Sequence, residues 1–249
     1  WVLKDLDRLI GVLATKILVD SHSQRNFLLE NRVIKNSGSF VLGEGSISGV
    51  DSDRFKIDAI ARKKIRSDLG VTHSTIVLLF LGRLKREKGV LELAKSFSVL
   101  KGNFQDTILL FVGSDEEELK TELEKVEGVR LLPFTKNPEH YMAAADILCL
   151  PSYREGFGSV VIEAAACGIP SIGTKIYGLS DAIVDGETGI LVTAKSVSEL
   201  QAAMQLLIED KILRQKMGRA AQERVLDKFS QIYLTVQLMQ FYKNLLEKC

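Results

Sequence analysis

The chain has 249 residues, 46% of them hydrophobic and 26% charged, with a formal net charge of +1. That length allows one large or two small domains of an ordinary globular protein, and the charge balance makes no case for broad nucleic-acid binding. The three scattered cysteines, Cys149, Cys167 and Cys249, suit a reducing compartment better than a disulfide framework; no CxxC pair or His/Cys cluster suggests a metal, and no apolar run reaches the roughly 18 residues of a spanning helix.

Trp1, Val2, Leu3, Leu6, Leu9, Ile10 and Leu13 fall at helical spacing from the first residue, as if the chain opened inside a helix. The expectation is a chain whose N-terminal part is absent. A strand is predicted at 16–19, a helix at 22–30 and a strand at 40–42. The segment Gly43-Glu44-Gly45-Ser46-Ile47-Ser48-Gly49 has no hydrophobic period. Its GxGxxxG spacing, with no helix opening directly after it, fails the dinucleotide fingerprint, and a hinge between two units fits better. Asp51-Ser52-Asp53 has the DxD form that can hold a divalent metal, but Asp and Ser before Arg54-Phe55 fit a turn or helix cap better.

From Thr75 onward, short apolar runs alternate with longer amphipathic ones. Strands are predicted at 76–81, 107–112, 129–132, 147–150, 171–173 and 189–192, with helices at 88–100, 115–126, 138–145 and 159–166. Continuous apolar strands separated by helices indicate an α/β fold, a Rossmann-like parallel sheet with helices on both faces. The tail is helical, with Val197, Leu200, Met204, Leu207 and Ile208 along one face and further helical pattern to Leu246. His73 reads as solvated, His140 beside Tyr141 as structural, and His22 as facing a cleft; none has a Ser or Cys partner that suggests a triad.

Two segments carry chemistry. The first runs Pro151-Ser152-Tyr153-Arg154-Glu155-Gly156-Phe157-Gly158-Ser159-Val160, with Glu163 beyond it. A turn that opens a helix presents free backbone N–H groups and the positive end of a dipole, which suits a phosphate. Carboxylates such as Glu155 and Glu163 accept hydrogen bonds from sugar hydroxyls. The plain alternative is an ordinary strand–turn–helix with Glu155 at a solvated helix start. Against it, Glu163 lies among Val160, Val161, Ile162, Ala164 and Ala165, where a carboxylate is costly unless paired. The second segment, Gly82-Arg83-Leu84-Lys85-Arg86-Glu87-Lys88-Gly89, follows the 76–81 strand. Arg83 offers a planar fork and Lys88 a point charge to phosphate oxygens, at the strand end where open α/β sheets bind ligands. Alone it reads equally well as a solvated basic loop. Together the two segments supply complementary halves of one ligand, with phosphate at one end and hydroxyls at the other. Of the two turn-rich stretches beyond, 177–181 could line the same cleft and 185–189 reverses the chain.

These residues resemble a known family. Gly82-Arg83-Leu84 with Lys88-Gly89, Ala145-Asp146-Ile147 with Pro151-Ser152, Glu155-Gly156-Phe157-Gly158 with Glu163-Ala164, and Gly186-Glu187-Thr188-Gly189-Ile190-Leu191-Val192 are similar to the retaining GT-B glycosyltransferases of family 4, in the family's order over residues 41–192. Gly43-Glu44-Gly45-Ser46 with Gly49-Val50-Asp51, and Ile176-Tyr177-Gly178-Leu179-Ser180-Asp181-Ala182, resemble the bacterial branch that builds capsule, O-antigen and related polysaccharides.

The resemblance implies a remnant of an acceptor-side domain at 1–42, a linker at 43–50, a nucleotide-sugar-binding domain at 51–228 and a crossover helix at 229–249. It implies that Arg83 and Lys88 bind the donor diphosphate and that Glu155 touches the transferred sugar. The Phe157–Val160 backbone (Phe157, Gly158, Ser159, Val160), with Gly82 and Gly156 nearby, would border sugar and phosphate, and Glu163 would hold the ribose hydroxyls. Arg83, Lys88 and the helix start would stabilise leaving-group charge. Retention is attributed in this family to front-face attack by the acceptor hydroxyl, and no protein nucleophile stands out here. The implied function is transfer from a UDP- or GDP-sugar to a glycan or polyprenyl-linked acceptor, with no cofactor or metal. The setting would be cytoplasmic, with peripheral membrane contact through the longer protein. Asp181 stands where the family usually has Glu. The acceptor site belongs to the domain this chain lacks, so the fragment is expected to be inactive alone, with Leu234, Leu238 and Phe241 of the last helix exposed. Base selectivity would lie near Pro133-Phe134 and Gly113-Ser114. A sugar-nucleotide epimerase of the same fold and a non-catalytic interaction module remain the alternatives.

Overall fold

The computed structural model describes residues 2–247, so Trp1, Lys248 and Cys249 lie outside it. The head comprises α1 (Val2–Leu13), β1 (Ile17–Leu18), α2 (His22–Glu30) and β2 (Ser39–Phe40), the two strands pairing in parallel. Both strands are shorter than the predicted 16–19 and 40–42. The larger unit follows as α3 (Ala59–Asp68), β3 (Ile76–Leu81), α4 (Val90–Lys101), β4 (Thr107–Val112), α5 (Lys120–Leu123), β5 (Val129–Leu132), α6 (Pro138–Ala144) and β6 (Ile147–Leu150). It continues with α7 (Ser159–Ala166), β7 (Ser171–Thr174), α8 (Leu179–Ala182), β8 (Gly189–Val192), α9 (Val197–Glu209), α10 (Lys211–Lys228) and α11 (Gln231–Leu246).

Six strands form one parallel sheet in the order β5-β4-β3-β6-β7-β8. The uniformly apolar strands lie in its middle because a parallel sheet covered on both faces has no wet side. Val77, Leu78, Leu79, Phe80, Leu109, Leu110, Phe111, Ile147 and Leu148 accordingly sit in the core. The strand order reverses direction between β3 and β6, and in open α/β sheets the crevice outside the carboxyl ends at that switch is the ligand site. The two segments singled out in the sequence are the loops that leave β3 and β6.

The amino ends of the same strands are riveted by charge. Asp146 accepts from Arg62 Nη2 at 2.7 Å, Arg66 Nη1 at 3.2 Å and the Val77 backbone N–H at 2.8 Å. Arg66, buried, also donates to the carbonyls of Ala144, Thr72 and Thr75.

Four local expectations change. The helix expected over 115–126 shrinks to the single turn α5. The Asp115 carboxylate takes the N–H groups of Glu117, Leu119 and Lys120, and Glu118 has a φ of 58°, so a capped loop replaces the first turns. The helix α3 had no counterpart in the sequence reading, although Asp58 caps it by accepting from Ile60 and Ala61 at 2.9 Å each. His140 is exposed rather than structural. Leu234 is 1% exposed, so the last helix does not expose it. That helix is tied down: Gln231 N–H donates to Val50 O and Val50 N–H to Phe229 O, and the Phe241 ring meets Phe40 edge-on at 5.4 Å. Its exposed apolar residues are Ile232, Val236, Met239 and Leu246 instead, while Leu238 and Phe241 are half-buried.

Candidate active site

The loop from β3 turns back through a short 3-10 segment at Arg86–Lys88 and enters α4 at Gly89. Gly89 has a φ of 70°, and a Cβ there would stand 2.2 Å from the carbonyl oxygen of Pro151. Only glycine allows the two loops this close approach. Its effect is to bring Lys88 onto the β6 loop. Lys88 Nζ donates to Glu155 Oε1 at 2.7 Å, with the two side chains 16% and 15% exposed. Ser152 Oγ donates to the same oxygen at 2.7 Å, and Thr174 Oγ1 from β7 fixes Ser152 through its carbonyl. Glu155 is therefore held from three strands.

Beyond Glu155 the chain passes Gly156 and the buried Phe157, then enters α7 at Gly158, whose φ of 83° suits only a left-handed turn. A Cβ at Gly158 would sit 2.5 Å from Leu179 Cδ2. No side chain caps this helix. Val161 N–H reaches Gly158 O at 2.8 Å, while the N–H groups of Ser159 and Val160 have no protein acceptor among the described residues. Two free donors and the dipole of α7 thus lie a few residues from Glu155.

Arg83 is 55% exposed and lies 3.6 Å from Glu116 Oε2, which Lys85 holds at 2.8 Å. The Lys85 contact, chiefly, holds the Glu116 carboxyl below its ordinary range. Further round the loop, Arg154 pairs with Glu87 at 3.1 Å.

Glu163 lies one turn into α7 and is half-buried. Burial pushes its carboxyl up to about 7; nearby Arg54 opposes the rise and Glu139 adds to it. Among the described residues no hydrogen bond or ion pair reaches that carboxylate. Phe134, on the loop leaving β5, is 69% exposed.

The head closes one side of this edge. Ser21 Oγ donates to Gly156 O at 3.4 Å, and Gly178 N–H donates to Ser23 Oγ at 2.9 Å. Asp181 accepts from the Ser23 hydroxyl and backbone, and Phe27 stacks on Tyr177 with centroids 4.7 Å apart. So 177–181, expected as a possible cleft wall, chiefly docks α2. His22 bonds Gly43 O at 3.0 Å and lines a groove with Arg25, Asn36 and Phe40 on the head. Asp51 accepts from the Asp53 and Arg54 N–H groups, which is the turn reading of the DxD segment. No group of three or more His, Cys, Asp or Glu side chains suited to a metal occurs among the described residues. Cys149 and Cys167 are buried and free.

Residues 61–224 match the sequence profile of the glycosyl transferases group 1. The chain belongs to that family. It is 28% identical to the capsular polysaccharide biosynthesis glycosyltransferase CapM of Staphylococcus aureus, over all of this chain and 66% of CapM. It is 36% identical to a D-inositol 3-phosphate glycosyltransferase of Pseudarthrobacter chlorophenolicus, over 76% of this chain and 50% of that protein. Among solved structures, Anabaena HepE in complex with UDP and glucose superposes with a TM-score of 0.86 at 22% identity, covering 97% of this chain and 66% of that one. The chain spans about half to two thirds of the length of these proteins.

Within a group 1 glycosyl transferase, the sheet edge collects Gly82, Arg83, Lys88, Glu155, Gly156, Phe157, Gly158, Ser159, Val160 and Glu163 on two adjoining loops and one helix. Four neighbours were given no role from sequence. Glu116 lies on Arg83, Ser152 braces Glu155, and Arg54 pairs with Glu139. Ser152 could have been found from its place in the same motif. Glu116, Arg54 and Glu139 carry no sequence signal, because they arrive from two separate loops and the first turn of α6.

Proposed function

We propose that this chain is the donor-binding half of a retaining glycosyltransferase that takes its sugar from a UDP- or GDP-sugar. The observation that carries the reading is the Lys88–Glu155 pair beside the uncapped start of α7, at the switch point of the sheet. An ammonium has three N–H donors. One lies on Glu155, and two remain for diphosphate oxygens. Arg83, weakly held by an exposed carboxylate, adds a second cation, and Ser159 and Val160 add backbone donors. These groups oppose the negative charge that grows on the diphosphate as the glycosidic bond breaks. Glu155 Oε2 accepts from a hydroxyl of the transferred sugar, and Glu163 accepts from the ribose diol. No metal is needed when two cations and a helix start do this work.

HepE is solved with UDP, which favours a uridine donor, and the likeness to CapM favours a surface polysaccharide as product. The acceptor, a glycan or polyprenyl-linked saccharide, would be held by a domain that is not among these 249 residues. In this reading the chain alone binds donor weakly and transfers little, and works at the cytoplasmic face of a membrane as part of a longer protein. No helix among the described residues is long and apolar enough to cross a membrane. Calorimetric titration of the folded chain with UDP, GDP and ADP tests the reading. Saturable binding of UDP or GDP, weakened by Lys88→Ala, is expected; no binding of any of the three overturns it.

A further inference from the structure

Two buried hydroxyls stand in line behind Glu155. Thr174 ends β7, Ser152 follows β6, and Lys88 lies on the loop after β3, so the bonds that end on Glu155 start from the carboxyl ends of three adjacent strands. Both hydroxyls are buried, where an unbonded hydroxyl is costly. Thr174 Oγ1 donates to the Ser152 carbonyl, and Ser152 Oγ donates to Glu155 Oε1 at 2.7 Å. Lys88 Nζ donates to that same oxygen at 2.7 Å. Among the described residues both bonds to the carboxylate fall on Oε1, and Oε2 takes none.

The two donors on Oε1 do different things. The lysine brings charge on a long flexible stem, which orients a carboxylate poorly. The serine is short and sits on a segment pinned at each residue. Pro151 lies against Gly89, where a Cβ would stand 2.2 Å from its carbonyl oxygen. The Ser152 carbonyl is held by Thr174, and the Tyr153 N–H donates to Glu87 O at 2.8 Å. Thr174 is a strand residue with a stiff β-branched side chain, in register with Val192 of β8. The orientation of Glu155 therefore descends from the sheet through Thr174 and Ser152, while its charge is balanced by Lys88.

We infer that Ser152 and Thr174 are positioning residues for the transferred sugar: Thr174 fixes Ser152, Ser152 fixes Oε1, and Oε2 is left as the acceptor for a sugar hydroxyl. This rests on the reading of Glu155 as the sugar contact. A carboxylate oriented before the ligand arrives loses less freedom on binding, so its hydrogen bond to the sugar contributes more. Neither hydroxyl has a proton to spare for the ligand, since each is already donated within the protein. Their effect falls on the sugar, through Glu155, and not on the diphosphate.

The experiment is calorimetric titration of the 249-residue chain with UDP, UDP-glucose, GDP and GDP-mannose, read as the ratio of each sugar nucleotide's affinity to that of its diphosphate. Glu155→Gln lowers the ratio if Glu155 holds the sugar. Ser152→Ala lowers it by roughly three- to tenfold and Thr174→Val by a smaller factor, while the diphosphates bind as before. Thr174→Ser keeps the hydroxyl and the wild-type ratio. In the Glu155→Gln background, Ser152→Ala adds nothing. Ser152→Ala deletes one oxygen and keeps the Lys88 pair, so it reports even where Thr174→Val unfolds the chain. An unchanged ratio in folded Ser152→Ala, beside a lowered one in Glu155→Gln, overturns the inference, as does an equal weakening of sugar nucleotide and diphosphate. A ratio that Glu155→Gln leaves unmoved for both pairs overturns the sugar reading of Glu155 itself, and the inference with it.

Discussion

The two ends of the parallel sheet make an instructive pair, because both are rich in basic side chains but hold them differently. A cavity of about 680 Å³ lies at the amino ends, lined by Arg62, His73, Asp146, Cys167, Lys211 and Arg214 among others. There the guanidinium groups are committed. Arg62 donates to the carbonyls of Ala143, Ala144 and Ala145 as well as to Asp146, and Arg214 to those of Leu207 and Ile208. At the carboxyl ends the cations rest instead on side-chain carboxylates, Lys88 on Glu155 and Arg83 and Lys85 on Glu116. Backbone donors at the start of α7 are also left over. What separates a staple from a site is whether the donors are already spent, and neither cavity volume nor local charge shows that.

The largest effect expected from this contrast is at the staple. Asp146→Ala strands Arg66, half-exposed Arg62 and the Val77 N–H in one step, and should cost about 3–5 kcal/mol of stability by urea denaturation. Nucleotide affinity of the fraction still folded should not change. A loss of affinity without loss of stability would erase the distinction between the two ends.

Next is Glu163. Its folded pKa of about 7 lies above the ordinary 4.5. The native chain therefore holds a proton that the unfolded chain releases, and stability falls as pH rises from about 4.5 to about 7, then levels off. The whole change is up to about 3 kcal/mol. Glu163→Gln should flatten that window in denaturation curves; an unchanged slope would mean the carboxyl is solvated.

Lys88→Ala should weaken UDP by roughly 1.5–3 kcal/mol and also lower the melting temperature, since Glu155, 15% exposed, keeps only the Ser152 bond. Unchanged UDP affinity in the folded variant would move Lys88 to the staple class. The smallest effect belongs to Glu116→Gln. It frees Arg83 and Lys85 at the protein surface, so UDP should bind a few-fold more tightly at low salt, and the gain should fade as salt is added.

Much of this was readable in one dimension. The six strands of the large sheet, and α2 and α7, lie where apolar runs, capping residues and Gly/Pro stops put them. Local rules failed where side chains overrode them. Asp115 captured the N–H groups of its own would-be helix, and the polar face of α3 hid a helix that becomes stable only when Arg62 and Arg66 find Asp146. The exposed stripe of α11 was expected on the wrong residues, because its phase depends on what Leu234 packs against.

Fold class, the two loops of interest and the family are already written in the chain, since these depend on periodicity and on motifs continuous along it. Tertiary packing alone brings Lys88 to Glu155, Glu116 to Arg83 and Arg54 to Glu139, and commits the basic residues at the far end to carbonyls and Asp146. Each of those facts is a distance between residues tens of positions apart in the chain. Such distances follow from strand order and from close approaches like Gly89 on Pro151, which no local pattern encodes.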